Sequence, residues 1–304
     1  MKKTIYIAMF LMITMTMKAQ QLPFMEGYLF NPFSMSPAYA GLKNTNTLFL
    51  DYRSEWSGID GGPATTQMSY NTRMNKKVGI GGRFMYDKSD IFKQTILLGT
   101  YSYEVQISDN NFVNFGISAG FYHNSVDLAK YFSNPEYLVD NTLTAGLVKS
   151  KLKFASDASV LWRFRNFESG VMLSNLMFGT VKYNNPDVSY KPFANYMFHG
   201  SYKYTLNERI DLQPFLILRG GKNAPDQLEI AMSATYSKKA WGTLLYRTGG
   251  VWGFGAGAEP ISGLLVNYSY NFSTGVALNT FGNHQLTVGV KLFNSSIKKE
   301  VNIP

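Results

Sequence analysis

The chain has 304 residues, no cysteine and a formal net charge of +9, and charged residues make up 16% of it. A typical soluble domain is about 25% charged, so this chain is poor in charge. Aromatic residues reach 15%, while the mean hydropathy is −0.13. This combination excludes a disordered chain. It also excludes a helical membrane bundle, because the one long apolar run, residues 5–17, is shorter than the roughly 18 residues that a spanning helix needs.

Residues 1–19 have the pattern of a secretory signal peptide. Lys2 and Lys3 precede the apolar run, and Ala19 ends the segment, which is the arrangement that export signals share. We predict cleavage after Ala19 and export of the mature chain. Since the sequence has no cysteine, lipoprotein anchoring is excluded.

The mature chain keeps a positive charge. Removal of residues 1–19 takes away Lys2, Lys3 and Lys18 and no acid, so the net charge falls by three, from +9 to +6. An exported cationic chain favours anionic surfaces such as lipopolysaccharide over nucleic acid. Ordinary solvated surface charge is the alternative.

Alternation of apolar and polar residues with a period of two recurs along the rest of the chain. In residues 100–107, for example, Tyr101, Tyr103 and Val105 share one face and polar residues share the other. A soluble β-sandwich also alternates, but its outward faces would carry more Lys and Glu. The low charge therefore favours an all-β, antiparallel transmembrane β-barrel over residues 45–293.

The alternating segments number about fourteen, an even count that is typical of single-chain bacterial outer-membrane barrels. They are residues 45–55, 64–72, 78–88, 93–107, 111–124, 153–165, 168–177, 194–205, 209–220, 226–238, 240–248, 251–258, 261–273 and 284–293.

The connections between these segments form two sets. Short turns are predicted at residues 75–77, 108–110, 165–167, 207–208, 238–239 and 259–260, and longer loops at 125–151, 178–193 and 274–283. Outer-membrane barrels have short periplasmic turns and longer extracellular loops. We therefore predict an outer-membrane location with both termini in the periplasm, and a polar C-terminal tail over residues 294–304.

Aromatic residues near the predicted strand ends suit the girdles that barrels place at the membrane interfaces. They are Tyr52, Tyr86, Tyr103, Trp162, Tyr202, Tyr204, Trp241, Tyr246 and Trp252. Packing in a soluble core is the alternative.

Catalytic motifs are missing from the sequence. The histidines are His123, His199 and His284, and none has a nucleophile or acid–base motif around it. With no cysteine and no histidine pair at ligand spacing, the sequence predicts no metal and no cofactor. An outer-membrane hydrolase is therefore a weak alternative.

The segment after the signal, residues 20–44, is punctuated by proline and suits neither a helix nor an interior strand, so we predict that it lies either in the periplasm or in the barrel lumen. Its motifs, and those that follow, are Asn31-Pro32, Ser36-Pro37-Ala38-Tyr39-Ala40-Gly41, Tyr52-Arg53, Trp56 with Gly58, and Gly61-Gly62-Pro63. In these motifs the chain resembles the PorP/SprF family of type IX secretion system membrane proteins of the Bacteroidota. Ser36, Glu55 and Gly62 stand where that family more often has Asn, Gln and Ala.

The resemblance implies a non-enzymatic outer-membrane barrel of the type IX secretion and gliding machinery. Such a protein takes part in the export or surface attachment of cargo with a C-terminal sorting domain, such as large adhesins. The implied partners are the secreted cargo, periplasmic and outer-membrane components of the machinery, and the lipid bilayer with its lipopolysaccharide. No nucleic acid is expected.

Two short stretches, residues 31–41 and residues 56–63, are the candidate sites, because the alternation typical of strands does not explain their sequences. They supply the candidate residues Asn31, Pro32, Pro37, Tyr39, Gly41, Trp56, Gly58, Gly61 and Pro63. They can serve as a lumen plug, as a partner site, or as both, because a barrel of about fourteen strands is wide enough to need filling. A porin-like solute channel is the main alternative function. It would need an open lumen and a ring of one charge sign, whereas the predicted inward residues Arg83, Glu104 and Glu229 have mixed signs.

Overall fold

The computed structural model describes residues 25–43, 46–128, 147–177, 181–182, 189–190, 195–221, 224–274 and 282–292. The predicted signal peptide and the predicted tail lie outside these residues, and both stay predictions. Three short 3₁₀ helices come first: η1 (Glu26–Leu29), η2 (Pro32–Ser34) and η3 (Pro37–Tyr39). Among the described residues, no helix is both long enough and apolar enough to cross a membrane.

The strands are β1 (Thr47–Ser54), β2 (Ala64–Arg73), β3 (Val78–Ser89), β4 (Phe92–Ser108), β5 (Asn111–Asp127), β6 (Leu147–Lys149), β7 (Lys153–Phe164), β8 (Phe167–Met177), β9 (Val181–Lys182), β10 (Ser189–Tyr190), β11 (Asn195–Tyr202), β12 (Tyr204–Thr205), β13 (Ile210–Gly221), β14 (Ala224–Tyr236), β15 (Ala240–Arg247), β16 (Val251–Ile261), β17 (Leu264–Ser273) and β18 (Asn283–Lys291).

Fourteen of these strands form one closed antiparallel barrel. Each pairs with the next long strand along the chain, and the first pairs with the last, with Thr47 opposite Lys291. The short strands β6 and β12 extend the sheet, and β9 pairs only with β10. The predicted fold class and strand number are therefore confirmed. Closure leaves no free edge, as a sheet in lipid requires.

The barrel is apolar outside and polar inside. Along β1 the inward residues Thr47, Asp51 and Arg53 are buried, while Leu50 and Tyr52 point outward and are half exposed. The same alternation recurs around the barrel. An outward apolar surface is stable only against lipid, so the charge-poor sequence reflects the membrane as the outer solvent.

Most of the predicted girdle residues do face outward, with one exception. Trp162, Tyr202 and Trp252 are exposed on the outer surface. Trp241 instead points into the lumen, where its Nε1 donates to Asn267 Oδ1 at 2.8 Å. The prediction for Trp241 was wrong because β15 places odd-numbered residues inward.

One predicted turn lies elsewhere. Residues 259–260 were expected to form it, but β16 continues through Pro260 to Ile261, and the turn follows at Gly263 with φ of 90°. The register shifts between Ala258 and Ile261, and a bulge tolerates a proline that cannot donate to the ladder.

The two ends of the barrel differ. At the end that we call the turn end, short connections such as residues 74–77, 109–110 and 237–239 join the strands. At the opposite end, the loop end, lie the first loop (residues 55–63) and the long connections after β5 and β8. This asymmetry agrees with the prediction, and the periplasmic placement of the termini stays a prediction.

Candidate functional site

Residues 25–43 lie inside the barrel, and we call them the plug. Tyr28 and Ala38 have no exposed side-chain surface, and Tyr39 is 2% exposed. The plug starts in the loop-end half of the lumen, where Glu26 meets Arg53 near the end of β1. It finishes towards the turn end, where the Gly41 amide donates to Asn71 Oδ1 at 2.9 Å.

Proline keeps the plug compact and out of the sheet. Pro32 and Pro37 each open a 3₁₀ turn, a position where their missing N–H group is not needed. The turns close locally, since the Ala40 amide donates to the Pro37 carbonyl at 3.0 Å. A segment that satisfies its own backbone groups can be buried in a lumen without joining the barrel strands.

Polar contacts tie the plug to strands all around the wall. The Ala38 amide donates to Ser159 Oγ at 2.9 Å, and Asn31 Nδ2 donates to Ser69 Oγ at 3.0 Å. On another side, Ser102 Oγ donates to the Ala40 carbonyl at 2.7 Å. Because small hydroxyl residues supply these bonds, the backbone of the plug can approach the wall closely.

Two wall glycines make that approach possible. A Cβ atom at Gly116 would overlap the backbone of Ala38, and one at Gly79 would overlap the carbonyl of Ala40. Gly41, with φ of 77°, then turns the chain out of the plug in a conformation that strongly favours glycine.

A cluster of buried charges lies at the start of the plug. Glu26 Oε1 accepts from Arg53 Nη1 at 3.0 Å and from Arg247 Nη2 at 3.4 Å, and Asn271 also donates to it. Arg247 Nε in turn donates to Glu229 Oε2 at 2.6 Å. We call this cluster the latch; it consists of Glu26, Arg53, Arg247, Glu229 and Tyr28, whose hydroxyl donates to Glu229.

The latch keeps Glu26 charged. Burial favours the neutral carboxyl, but the guanidinium groups of Arg53 and Arg247 outweigh burial and hold the pKa of Glu26 below its usual value. A buried carboxylate is stable only while its cationic partners stay in place. The plug is therefore tied to strands β1 and β15 by charge as well as by packing.

A second cluster lies around Tyr39. Its hydroxyl donates to Glu168 Oε2 at 3.3 Å, and Lys43 Nζ approaches the same oxygen at 2.7 Å. The ring centroid of Tyr39 lies 5.7 Å from that of His199. His199 is buried, and among the described residues its Nε2 atom has no hydrogen-bond partner, so it is not coupled to a nucleophile there.

The first loop (residues 55–63) is short, and hydrogen bonds fix its backbone to the neighbouring segments on both sides. Trp56 has φ of 53°, an unusual conformation for a bulky residue. Its amide donates to Asn283 Oδ1 at 3.0 Å, and the Gly61 carbonyl accepts from the Asp90 amide at 2.9 Å. Despite this fixed backbone, the Trp56 side chain is 43% exposed.

The sequence-predicted candidates thus divide between two places. The plug contains Asn31, Pro32, Pro37, Tyr39 and Gly41, and the first loop contains Trp56, Gly58, Gly61 and Pro63.

Arg53 connects the two places. Its Nη1 atom donates to Glu26 of the plug, and its Nε atom donates to Glu55 Oε1 of the first loop at 2.6 Å. The latch residues were not predicted as a site from the sequence. Their signal was present, because Arg53, Glu229 and Arg247 are charged residues at inward positions of alternating strands.

No metal centre is formed within the described part of the chain, since it contains no group of three or more His, Cys, Asp or Glu side chains placed to hold an ion. His123 and His284 contact Ser150 and Tyr268 respectively. Neither contact includes an acid and a base in a relay of the kind that hydrolases use.

The sequence model of the family described as "Type IX secretion system membrane protein PorP/SprF" matches residues 17–290. No curated protein matches the chain in sequence.

Among solved structures, the fold is similar to that of the CymD monoaromatic hydrocarbon channel, with 12% identity, a TM-score of 0.54 and coverage of 89% of this chain and 93% of that one. It is also similar to a FadL homologue of Pseudomonas aeruginosa, with 11% identity, a TM-score of 0.50 and coverage of 91% and 96%. At this identity the likeness concerns the fold, and both matches are barrels of similar extent.

Proposed function

The chain belongs to the PorP/SprF family of type IX secretion system membrane proteins, and from that premise we propose that it is a non-enzymatic outer-membrane partner of secreted cargo. It acts with the type IX secretion and gliding machinery in export or surface attachment. Its cargo carries a C-terminal sorting domain, as large adhesins of this system do.

The filled lumen is the observation that carries this proposal. A conduit for a polypeptide needs an open passage, whereas here Tyr28, Phe33 and Tyr39 of the plug are almost fully buried inside the barrel. In a barrel whose lumen is filled, the two ends remain as the surfaces at which partners can bind. We infer that the loop end meets cargo and that the turn end meets periplasmic components, while the outer wall contacts lipid and lipopolysaccharide.

The first loop is the proposed cargo contact. Trp56 combines a fixed backbone with a large exposed ring, and such a residue loses little conformational entropy on binding. Through Glu55 and Arg53 the loop touches the latch, so a partner that moves the loop also disturbs the ion pair of Glu26. The plug and the partner site then work as one unit.

A solute channel is the competing function. Proteins of similar fold include one whose description is a monoaromatic hydrocarbon channel. Against an ion-selective channel, several lumen charges of the described residues are paired with opposite sign, as in Arg83 with Asp157 and Arg163 with Glu104. Such pairs do not form the ring of one sign that ion selectivity needs.

The test compares two tryptophans of equal exposure. Trp56 in the first loop and Trp162 on the lipid-facing surface are both 43% exposed. We expect Trp56→Ala to lower surface display of the cognate cargo by about tenfold or more, as loss of an aromatic anchor does. Trp162→Ala should leave display unchanged, and both barrels should assemble normally.

Deletion of the gene tests whether cargo display requires the protein at all. It should abolish display of the cognate cargo while unrelated outer-membrane barrels keep their levels. Normal display of every type IX cargo in the deletion strain would refute the secretion role, whatever the fold.

A further inference from the structure

A cavity of about 130 Å³ lies in the lumen between the plug and the loop end. Its position follows from its lining, which includes Asn195 at the start of β11 and Gly220 near the end of β13. The plug forms its floor through Met25, Ser34 and Met35.

Most of the cavity surface is apolar and rich in methionine. The apolar lining residues are Met25, Met35, Met85, Ile96, Leu98, Ala155, Met172 and Met197. Methionine side chains are unbranched and polarizable, so they adapt to varied apolar ligands and contact aromatic rings favourably. This lining contrasts with the hydroxyl and amide residues that face the plug elsewhere in the lumen.

The polar part of the lining can bind an anionic or carbonyl oxygen through a hydrogen-bond donor. Gln67 is 4% exposed, and its Nε2 atom has no hydrogen-bond partner among the described residues. A buried donor without an acceptor is costly, so it marks the place where a ligand oxygen would be bound. Arg83 and Arg219 also line the cavity, together with Asp157, which forms an ion pair with Arg83.

We propose that this cavity binds a small amphiphilic acid, with an apolar body in the methionine pocket and a carboxylate oxygen at Gln67. An apolar cavity of about 150 Å³ holds a benzene molecule, so this slightly smaller cavity suits one ring or a short aliphatic chain as the apolar body of the ligand, with the carboxylate beside the polar lining residues. Since Met25 and Met35 belong to the plug, the ligand stabilises the plugged state by binding to it. The proposal is independent of the cargo role.

Benzoate is a suitable probe, and toluene is its counterpart without an acceptor oxygen. The protein is labelled with ¹³C at the methionine methyl groups and studied by NMR in lipid nanodiscs. Benzoate should shift the signals of Met85, Met172 and Met197. It should leave Met68 and Met232 unchanged, because these two are on the outer surface with exposures of 42% and 41% and report partition into the bilayer.

Two substitutions test the assigned contacts. Gln67→Leu keeps the approximate size and should weaken benzoate binding about tenfold, the effect of losing a hydrogen bond to a charged group, while toluene binding is unchanged. Met172→Phe should reduce the binding of both probes by filling the pocket. Met232→Phe on the outer surface is its matched control and should bind as the natural chain does.

Three results would overturn the proposal. They are equal shifts at Met68 and Met232, no shift at any methionine, and benzoate binding only after deletion of residues 20–24. The last result would mean that the chain itself occupies the site in the intact protein. Should Gln67→Leu fail to assemble, Gln67→Glu replaces it, and unchanged benzoate affinity in that variant would equally refute the contact.

Discussion

Glu26 of the plug and Arg53 of β1 form an ion pair with an Nη1–Oε1 distance of 3.0 Å, and their side chains are only 2% and 4% exposed. Arg53 also holds Glu55 of the first loop at 2.6 Å. One strand residue therefore joins the lumen to the loop end. Because a buried ion pair is costly to break on one side, the plug and the loop should respond together to changes at Arg53.

Glu26→Gln should destabilise the plugged barrel. The substitution removes a carboxylate and leaves the guanidinium groups of Arg53 and Arg247 partly uncompensated, a loss of about 3–5 kcal/mol for a buried pair. The measurement is the temperature at which the folded band converts to the unfolded band on semi-native gels. We expect a clear decrease.

Asp127→Asn is the matched control for that experiment. Asp127 pairs with Lys93 at 3.0 Å, but both side chains are about one third exposed, at 35% and 32%. Such pairs contribute about 0–1 kcal/mol, so the conversion temperature should hardly change. Equal decreases in the two variants would contradict the role of burial at the latch.

Gly116→Ala should displace the plug. The added methyl group would overlap the backbone of Ala38, and overpacking of this kind costs about 1–3 kcal/mol. Limited proteolysis of the protein in nanodiscs should then cleave within residues 25–43, most of which are buried in the natural chain and should resist cleavage there. Gly99→Ala serves as the control because Gly99 is exposed on the outer surface, where an added methyl group would meet the Ala119 carbonyl oxygen at an ordinary contact distance of 3.8 Å. Protection of the plug in both variants would argue against close packing at Gly116.

Deletion of residues 26–41 should open the lumen. The natural protein is expected to show no large, stable conductance in planar bilayers, since the plug occupies the barrel interior. The shortened protein should conduct if it still assembles, which heat-modifiable migration on gels can establish. Large conductance from the natural protein would instead favour the solute-channel function.

Histidine chemistry should be dispensable. We expect the combined substitution of His123, His199 and His284 by Gln to leave cargo display unchanged, because none of the three lies in a nucleophile relay. Glutamine is chosen because His199 is buried beside Tyr39, where a smaller residue would leave a cavity. Loss of display at normal membrane levels would restore the hydrolase hypothesis.

The barrel fold could be predicted from the amino-acid sequence. Alternation with a period of two placed the fourteen long strands to within a few residues, because a strand between lipid and a polar lumen must alternate along its whole length. The same rule separated the inward from the outward residues: Thr100 faces the lumen and is buried, whereas Tyr101 faces outward and is exposed. The prolines of the N-terminal segment also excluded it from the sheet, which left the lumen as one of its two possible places.

The contacts inside the barrel, in contrast, depend on how the whole chain folds. Glu26 and Arg247 are 221 residues apart in the chain, and closure of β1 on β18 brings Arg53 of β1 and Arg247 of β15 to the same buried carboxylate. Local patterns carry no information on such pairing, as Trp241 illustrates: its aromatic character suggested the membrane interface, but the strand's phase turned it inward. The alternation of apolar and polar residues along each strand is set locally, because one face meets lipid and the other meets the lumen. The latch and the methionine cavity form only when the sheet closes around the plug.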